Sequence, residues 1–149
     1  MSVTSPEPPP YGPAGPALPV FEVDQPFTGD GLYELRETLG AHADRLGADE
    51  DQIDHLLIVA SELATNAVRH GGGGGRIRLW QRDDALFCQV SDDGPGIVGG
   101  SAGHVRPSPT AGDGGRGLWI CRHLTAELSI ETGPDGTTVT AAIPGRPYR

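Results

Sequence analysis

The chain has 149 residues and a formal net charge of -9, enough for one domain with one core. That acidity, with no basic stripe, argues against direct nucleic-acid binding, since the phosphate backbone selects clustered cations. It leaves a nucleotide open as a ligand, because backbone N–H groups and helix ends hold phosphate without net positive charge.

Hydrophobic residues make up 36% and charged residues 21%, as in soluble globular proteins. No apolar run is long enough to span a bilayer, and no basic segment followed by an apolar one opens the chain. A cytoplasmic protein without a membrane partner is expected. Cys88 and Cys121 are the two cysteines, and each falls in an apolar pattern, which reads as two buried free thiols.

Residues 1–19 carry Pro6, Pro8 to Pro10, Pro13, Pro16 and Pro19, and read as a disordered Pro-rich tail. The expected folded domain covers residues 20–144, and residues 145–149 form a short C-terminal tail. Val20 to Val23 reads as a first strand. Gly29 to Leu46 has a helical period with Leu32, Leu35 and Leu39 on one side, and Gly47 stops it.

A second helix starts at the N-cap candidate Asp49, with Glu50 and Asp51 suiting its positive end. Its core side is predicted as Ile53, Leu56, Leu57, Ala60, Leu63, Ala64 and Ala67. The glycine run from Gly71 to Gly75 ends it near His70. Arg76 to Gln81 alternates charged and apolar residues, a strand with one wet face. Ala85 to Ser91 completes a hairpin with it.

Asp92 to Gly117 reads as a long loop, a length that in a compact domain marks function or mobility. A helix follows from Leu118 to Ala126. Strands Leu128 to Glu131 and Thr137 to Ile143 close the chain around the turn Gly133-Pro134-Asp135-Gly136. The fold class is α+β: a two-layer α/β sandwich with helices on one face of a mostly antiparallel mixed sheet.

Three local patterns carry chemistry. Glu62 and Asn66 are four residues apart and share a helix face. A carboxylate there can accept a proton, and an amide oxygen can bind Mg²⁺. Asp92-Asp93-Gly94-Pro95-Gly96 follows a strand, so its glycines allow close approach to a ligand while a carboxylate stands ready for an exocyclic amine. Gly112-Asp113-Gly114-Gly115-Arg116-Gly117 opens a helix and offers N–H groups to phosphate. Alone, each pattern also fits a polar helix face, a plain turn or a flexible linker. Together, in this order, they make a nucleotide site.

On these residues the chain resembles the superfamily of gyrase, heat-shock chaperone, histidine kinase and MutL (GHKL), with its Bergerat ATP-binding fold. Glu62 and Asn66 look like its N box, Asp92-x-Gly94-x-Gly96 its first glycine box, Gly115-x-Gly117 its second, and Gly136-Thr137 its fourth element. The resemblance implies ATP and Mg²⁺ as ligands. Asp92 would read the adenine amine, with Gly94 and Gly96 beside base and sugar. Asn66 would hold Mg²⁺. Gly115, Arg116, Gly117 and Leu118 would flank the phosphates, Thr137 would support the adenine end, and residues 98–114 would form a lid.

In 149 residues no phospho-acceptor or transducer domain is expected beside this one. The phrases Ser61-Glu-Leu-Ala-Thr-Asn-Ala-Val-Arg-His70 and Gly114-Gly-Arg-Gly-Leu-Trp-Ile-Cys121 resemble the stand-alone anti-sigma-factor serine/threonine kinases. That implies Glu62 as general base for a serine hydroxyl, a sigma factor and an anti-anti-sigma (STAS-type) protein as partners, and a homodimer. The alternative is a non-catalytic ATP-binding module that regulates a partner by binding alone.

Overall fold

The computed structural model describes residues 20–95 and 113–145, with residues 113–118 given by their backbone. The Pro-rich tail, Gly96 and nearly all of the expected lid lie outside the described residues. The elements are β1 Val23–Thr28, α1 Leu32–Arg45, α2 Glu50–His70, β2 Gly74–Arg82, β3 Ala85–Asp92, α3 Asp113–Leu124, β4 Glu127–Gly133 and β5 Gly136–Ile143. The strands form one sheet in the order β1-β2-β3-β5-β4, and every neighbouring pair is antiparallel. The expected α+β sandwich is present. The parallel component of a mixed sheet is absent among the described strands.

Several boundaries move from their expected places. The first strand is Val23–Thr28 rather than Val20 to Val23, because β1 pairs with β2 from Val23↔Leu79 to Thr28↔Gly74. Pro26 lies inside it, which an edge strand tolerates. Strand β3 extends to Asp92. Helix α3 begins at Asp113 rather than Leu118, so Gly114, Gly115, Arg116 and Gly117 belong to its first turns instead of a preceding loop.

Period-2 alternation assigns one face of the sheet to the core. Ile77, Leu79, Leu86, Cys88, Val90, Val139, Ala141 and Ile143 are buried there against Leu35, Leu39, Leu56, Val59 and Leu63 of the helices. The two core lists for α2 differ at their margins: Val59 and Gln52 are buried, whereas Ile53 and Leu57 are half-buried. Among the described residues, no helix is long and apolar enough to cross a membrane.

The opposite face of the sheet is not uniformly wet. Trp80 stacks on Phe87 at 5.4 Å and meets Phe21 edge-on at 5.4 Å, and Trp80, Phe87 and Ala142 are buried as a second cluster. Farther along this face Asp24 accepts hydrogen bonds from Arg76 at 2.6 Å and Arg78 at 3.3 Å.

Helix α2 is fixed at its start. The Asp49 side chain accepts a hydrogen bond from the Gln52 backbone N–H at 2.9 Å, the expected N-cap. The buried Gln52 side chain then donates to the carbonyls of Asp84 and Ile143, each at 3.0 Å. One amide thereby ties the helix to the β2–β3 turn and to the end of β5. Gln52→Ala is expected to leave these carbonyls unpaired and to cost about 2 kcal/mol. Thermal unfolding should register a fall in Tm of roughly 6 °C; an unchanged Tm would show that water replaces the amide.

The chain entering β1 is anchored to α1. Glu22 accepts from Arg45 at 2.6 Å and lies 2.7 Å from His42 Nδ1. Hydrogen bonding to His42, then to Arg45, holds its carboxyl below the usual value of 4.5.

Candidate functional site

The end of α2, the end of β3 and the start of β5 converge. Asp92 is the last residue of β3 and faces Thr137 of β5 in register. Its side chain is on the core side of the sheet, in step with Cys88 and Val90. Oδ1 accepts a hydrogen bond from the Gly94 backbone N–H at 2.8 Å. Among the described residues, Oδ2 accepts none. Half of the carboxylate is thus held by its own loop and half is uncommitted.

Glycines crowd this carboxylate. A Cβ on Gly71 would stand 2.3 Å from the Asp92 Cγ. One on Gly94 would stand 2.4 Å from the Gly71 Cα, and one on Gly136 would stand 2.2 Å from the Asp92 carbonyl oxygen. Thr137 is buried, and its hydroxyl lies 2.8 Å from that of Thr132 on β4. This hydroxyl pair fixes Thr137 beside Asp92.

Glu62 and Asn66 lie farther back along α2. They are half-buried, and neither has a hydrogen-bond partner among the described residues. Their face looks toward α3: the Cys121 thiol of α3 lies 3.9 Å from the Val59 carbonyl one turn before. Burial pushes the Cys121 thiol far up, and the negative charge of Glu62 adds to it. From Gly71 back to Glu62 the helix axis covers about 14 Å at 1.5 Å per residue. One rigid helix therefore connects the Asp92 end to a pair of uncommitted polar groups.

A cleft of about 220 Å³ between α1 and α2 lies elsewhere. Its polar rim is Ser61, which accepts a hydrogen bond from Arg36 at 2.6 Å, and Thr65. These two residues stand about 100° around α2 from Glu62 and Asn66. This apolar cleft belongs to the helix–helix seam and is separate from the Asp92 end.

Of the residues singled out in the sequence, Asp92, Gly94 and Thr137 come together, and Glu62 and Asn66 stand on the helix that abuts them. Gly115, Arg116, Gly117 and Leu118 are in the first turns of α3, which packs on α2. Gly96 falls outside the described residues. Cys88 and Cys121 are free and buried, as expected, and burial pushes the Cys88 thiol up to about 12. Trp119 is 38% exposed, with its ring 4.1 Å from that of His123.

Sequence reasoning missed Gly71 and Thr132. Gly71 looked like a helix stop within a glycine run, and Thr132 carried no motif. No group of three or more His, Cys, Asp or Glu residues able to hold a metal occurs among the described residues. Mg²⁺ does not require one, since it keeps several waters and is held by one or two protein oxygens with substrate phosphates. The uncommitted Asn66 side chain fits that demand.

Comparison with known proteins gives a consistent result. The family model described as histidine kinase-like ATPase domain matches residues 26–143. The serine-protein kinase RsbW of Bacillus subtilis is 32% identical over 131 residues, covering 80% of this chain and 81% of the relative. The serine-protein kinase RsbW of Bacillus velezensis is 32% identical over 117 residues, covering 70% and 72%. Among solved structures, the RsbU and RsbW domains of a Mycobacterium tuberculosis protein superpose with a TM-score of 0.61 at 22% identity. That likeness covers 85% of this chain and 34% of the other, and it bears on the fold alone. A family model across most of the chain, and relatives above 30% identity matched over more than two thirds of both lengths, lead to one assignment: the chain belongs to the histidine kinase-like ATPase domain family, in its group of RsbW-like proteins.

Proposed function

We propose that the protein binds ATP with Mg²⁺ and is a serine/threonine protein kinase acting as an anti-sigma factor, with a STAS-type anti-anti-sigma protein as its substrate. The observation that carries this reading is the Asp92 carboxylate, tied through Oδ1 to the Gly94 N–H at 2.8 Å, with no hydrogen bond to Oδ2 among the described residues. A free carboxylate oxygen in a glycine-lined corner suits the exocyclic amine of adenine, which donates and cannot accept. Thr137, steadied by Thr132, supports the base from the neighbouring strand.

The phosphates then run along α2 toward α3. The N–H groups of the first turn of α3 have no partners within the helix and carry its positive end. Gly115 and Gly117 leave their backbone open to phosphate oxygens, with Arg116 and Leu118 beside them. Asn66 would hold Mg²⁺ through its side-chain oxygen, and the bound ion would supply neutralisation of phosphate charge. Glu62 accepts the proton of the substrate hydroxyl. The hydroxyl oxygen forms a bond to the γ-phosphorus as the bond to the β,γ-bridging oxygen breaks, and ADP leaves with that electron pair. Such transfer needs positioning and electrostatics more than covalent chemistry from the protein. The names of the RsbW relatives support the serine-kinase reading, and the acidic net charge supports action on a protein rather than on DNA.

The test is transfer of label from γ-labelled ATP to STAS-type proteins from the same genome, followed by mass spectrometry of the acceptor. One phosphorylated serine or threonine, with loss of affinity between the two proteins after transfer, is the expected result. ATP binding without transfer to any such protein would contradict the kinase and leave the regulatory ATP-binding module.

A further inference from the structure

Gly71 has a property that the neighbouring glycines lack. Its backbone angles, φ -115° and ψ 20°, are open to other residues, so conformation does not require glycine there. Gly72 and Gly73 differ, with φ of 98° and open space around them. At Gly71 it is space that is missing. An added Cβ would lie 2.3 Å from the Asp92 Cγ, 2.5 Å from Oδ2 and 2.7 Å from Oδ1. The carboxylate fills the position that any side chain at residue 71 would take.

The obstruction is also of an unusual kind. At Gly74, Gly75, Gly94 and Gly136 the nearest atom to an added Cβ belongs to the backbone, so a substitution there disturbs the chain path. At Gly71 the three nearest atoms all belong to one side chain, and that side chain can rotate away. The Gly71 N–H still reaches the Ala67 carbonyl at 2.8 Å and closes α2, a bond that alanine keeps. The fold can therefore absorb a methyl group here by giving up the placement of Asp92.

We propose that Gly71 is a positioning residue for base recognition: by lacking a side chain at the C-terminal end of α2, it seats the Asp92 carboxylate with Oδ1 on the Gly94 N–H and Oδ2 free for the purine. This rests on the reading of Asp92 as the base-contacting residue. It adds that the seat is formed by the same helix that carries Glu62 and Asn66, so base and phosphate ends share one rigid element. Gly94 completes the seat, since its own Cα packs onto Gly71 and leaves no room for a Cβ.

The experiment compares the full-length wild type with Gly71→Ala and with Gly133→Ala, a control whose added Cβ meets nothing within 4 Å. Calorimetry gives the affinities for Mg-ATP and Mg-GTP, melting without nucleotide reports the fold, and NMR reads the chemical shift of the Gly94 amide. Gly71→Ala is expected to weaken ATP at least about tenfold, the scale of one hydrogen bond to a charged group, and to move the ATP-to-GTP affinity ratio toward one. Its Tm should stay within about 3 °C of wild type, under 2 kcal/mol on the usual scale. Its Gly94 amide resonance should move upfield, as for an N–H that has lost its carboxylate partner. Wild-type affinity and selectivity in Gly71→Ala, or a Gly94 amide at its wild-type shift, would overturn the inference. A collapse of Tm would overturn it as well, by making Gly71 a structural residue. Absence of ATP binding by the wild type would remove the base-reading role of Asp92 itself, an outcome distinct from a wild type that binds and a variant that binds equally.

Discussion

Replacing Glu62 by alanine is expected to slow phosphoryl transfer by about 10²–10⁴-fold, the usual worth of a positioned general base, with ATP affinity little changed. The expectation follows from where Glu62 stands. It is half-buried on the α3 side of α2, has no hydrogen-bond partner among the described residues, and lies close enough to Cys121 to raise that thiol. It is two and a half turns from the Asp92 end, so its loss leaves the base-reading corner intact. Single-turnover transfer with saturating ATP separates the two effects. Equal loss of ATP binding and of transfer would instead place Glu62 in ground-state binding.

Gly136→Ala is expected to damage both fold and site. Gly136 opens β5 with φ of 147°, a region in which side-chain-bearing residues are strained. A Cβ there would also stand 2.2 Å from the Asp92 carbonyl oxygen, and a backbone atom cannot rotate away. Strain and overlap together should cost about 3 kcal/mol, with a fall in Tm of roughly 10 °C. Because β3 and β5 pair Asp92 with Thr137, the same displacement should unseat both residues and reduce ATP affinity. The contrast with Gly71→Ala, where the fold is spared and the site is lost, separates a glycine needed by the chain from one needed by the ligand. Wild-type melting in Gly136→Ala would contradict this account of the β3–β5 corner.

Most of the helical layer was legible because it obeys simple rules. Asp49 caps α2, the apolar residues recur on one side from Leu56 to Ala67, and the glycine run stops it. The Asp92 corner was legible through Asp-x-Gly following a strand. Other features were hidden for physical reasons. Strand β1 contains Pro26, which reads as a breaker and is admitted only because β1 is an edge. The start of α3 was set too late because glycine is a poor helix former, yet it takes helical angles when the helix packs on a neighbour. Gln52 is absent from the predicted core side of α2, because its burial depends on two carbonyls supplied by the β2–β3 turn and the end of β5. Gly71 was masked by four glycines after it, and its meaning lies in a side chain twenty-one residues away. The RsbW-like resemblance was carried by the motifs themselves, and the family assignment supports it.

Whether Asp92 reads the adenine of ATP is decided by calorimetry of Mg-ATP binding to the wild type and to Asp92→Asn. Asparagine can still accept the Gly94 N–H through its oxygen, but it turns an amide donor toward an amine that also donates. The account predicts Mg²⁺-dependent binding by the wild type and a loss of about 10- to 100-fold in Asp92→Asn, with melting unchanged. Binding of equal strength by both proteins, or none by a folded wild type, would contradict it.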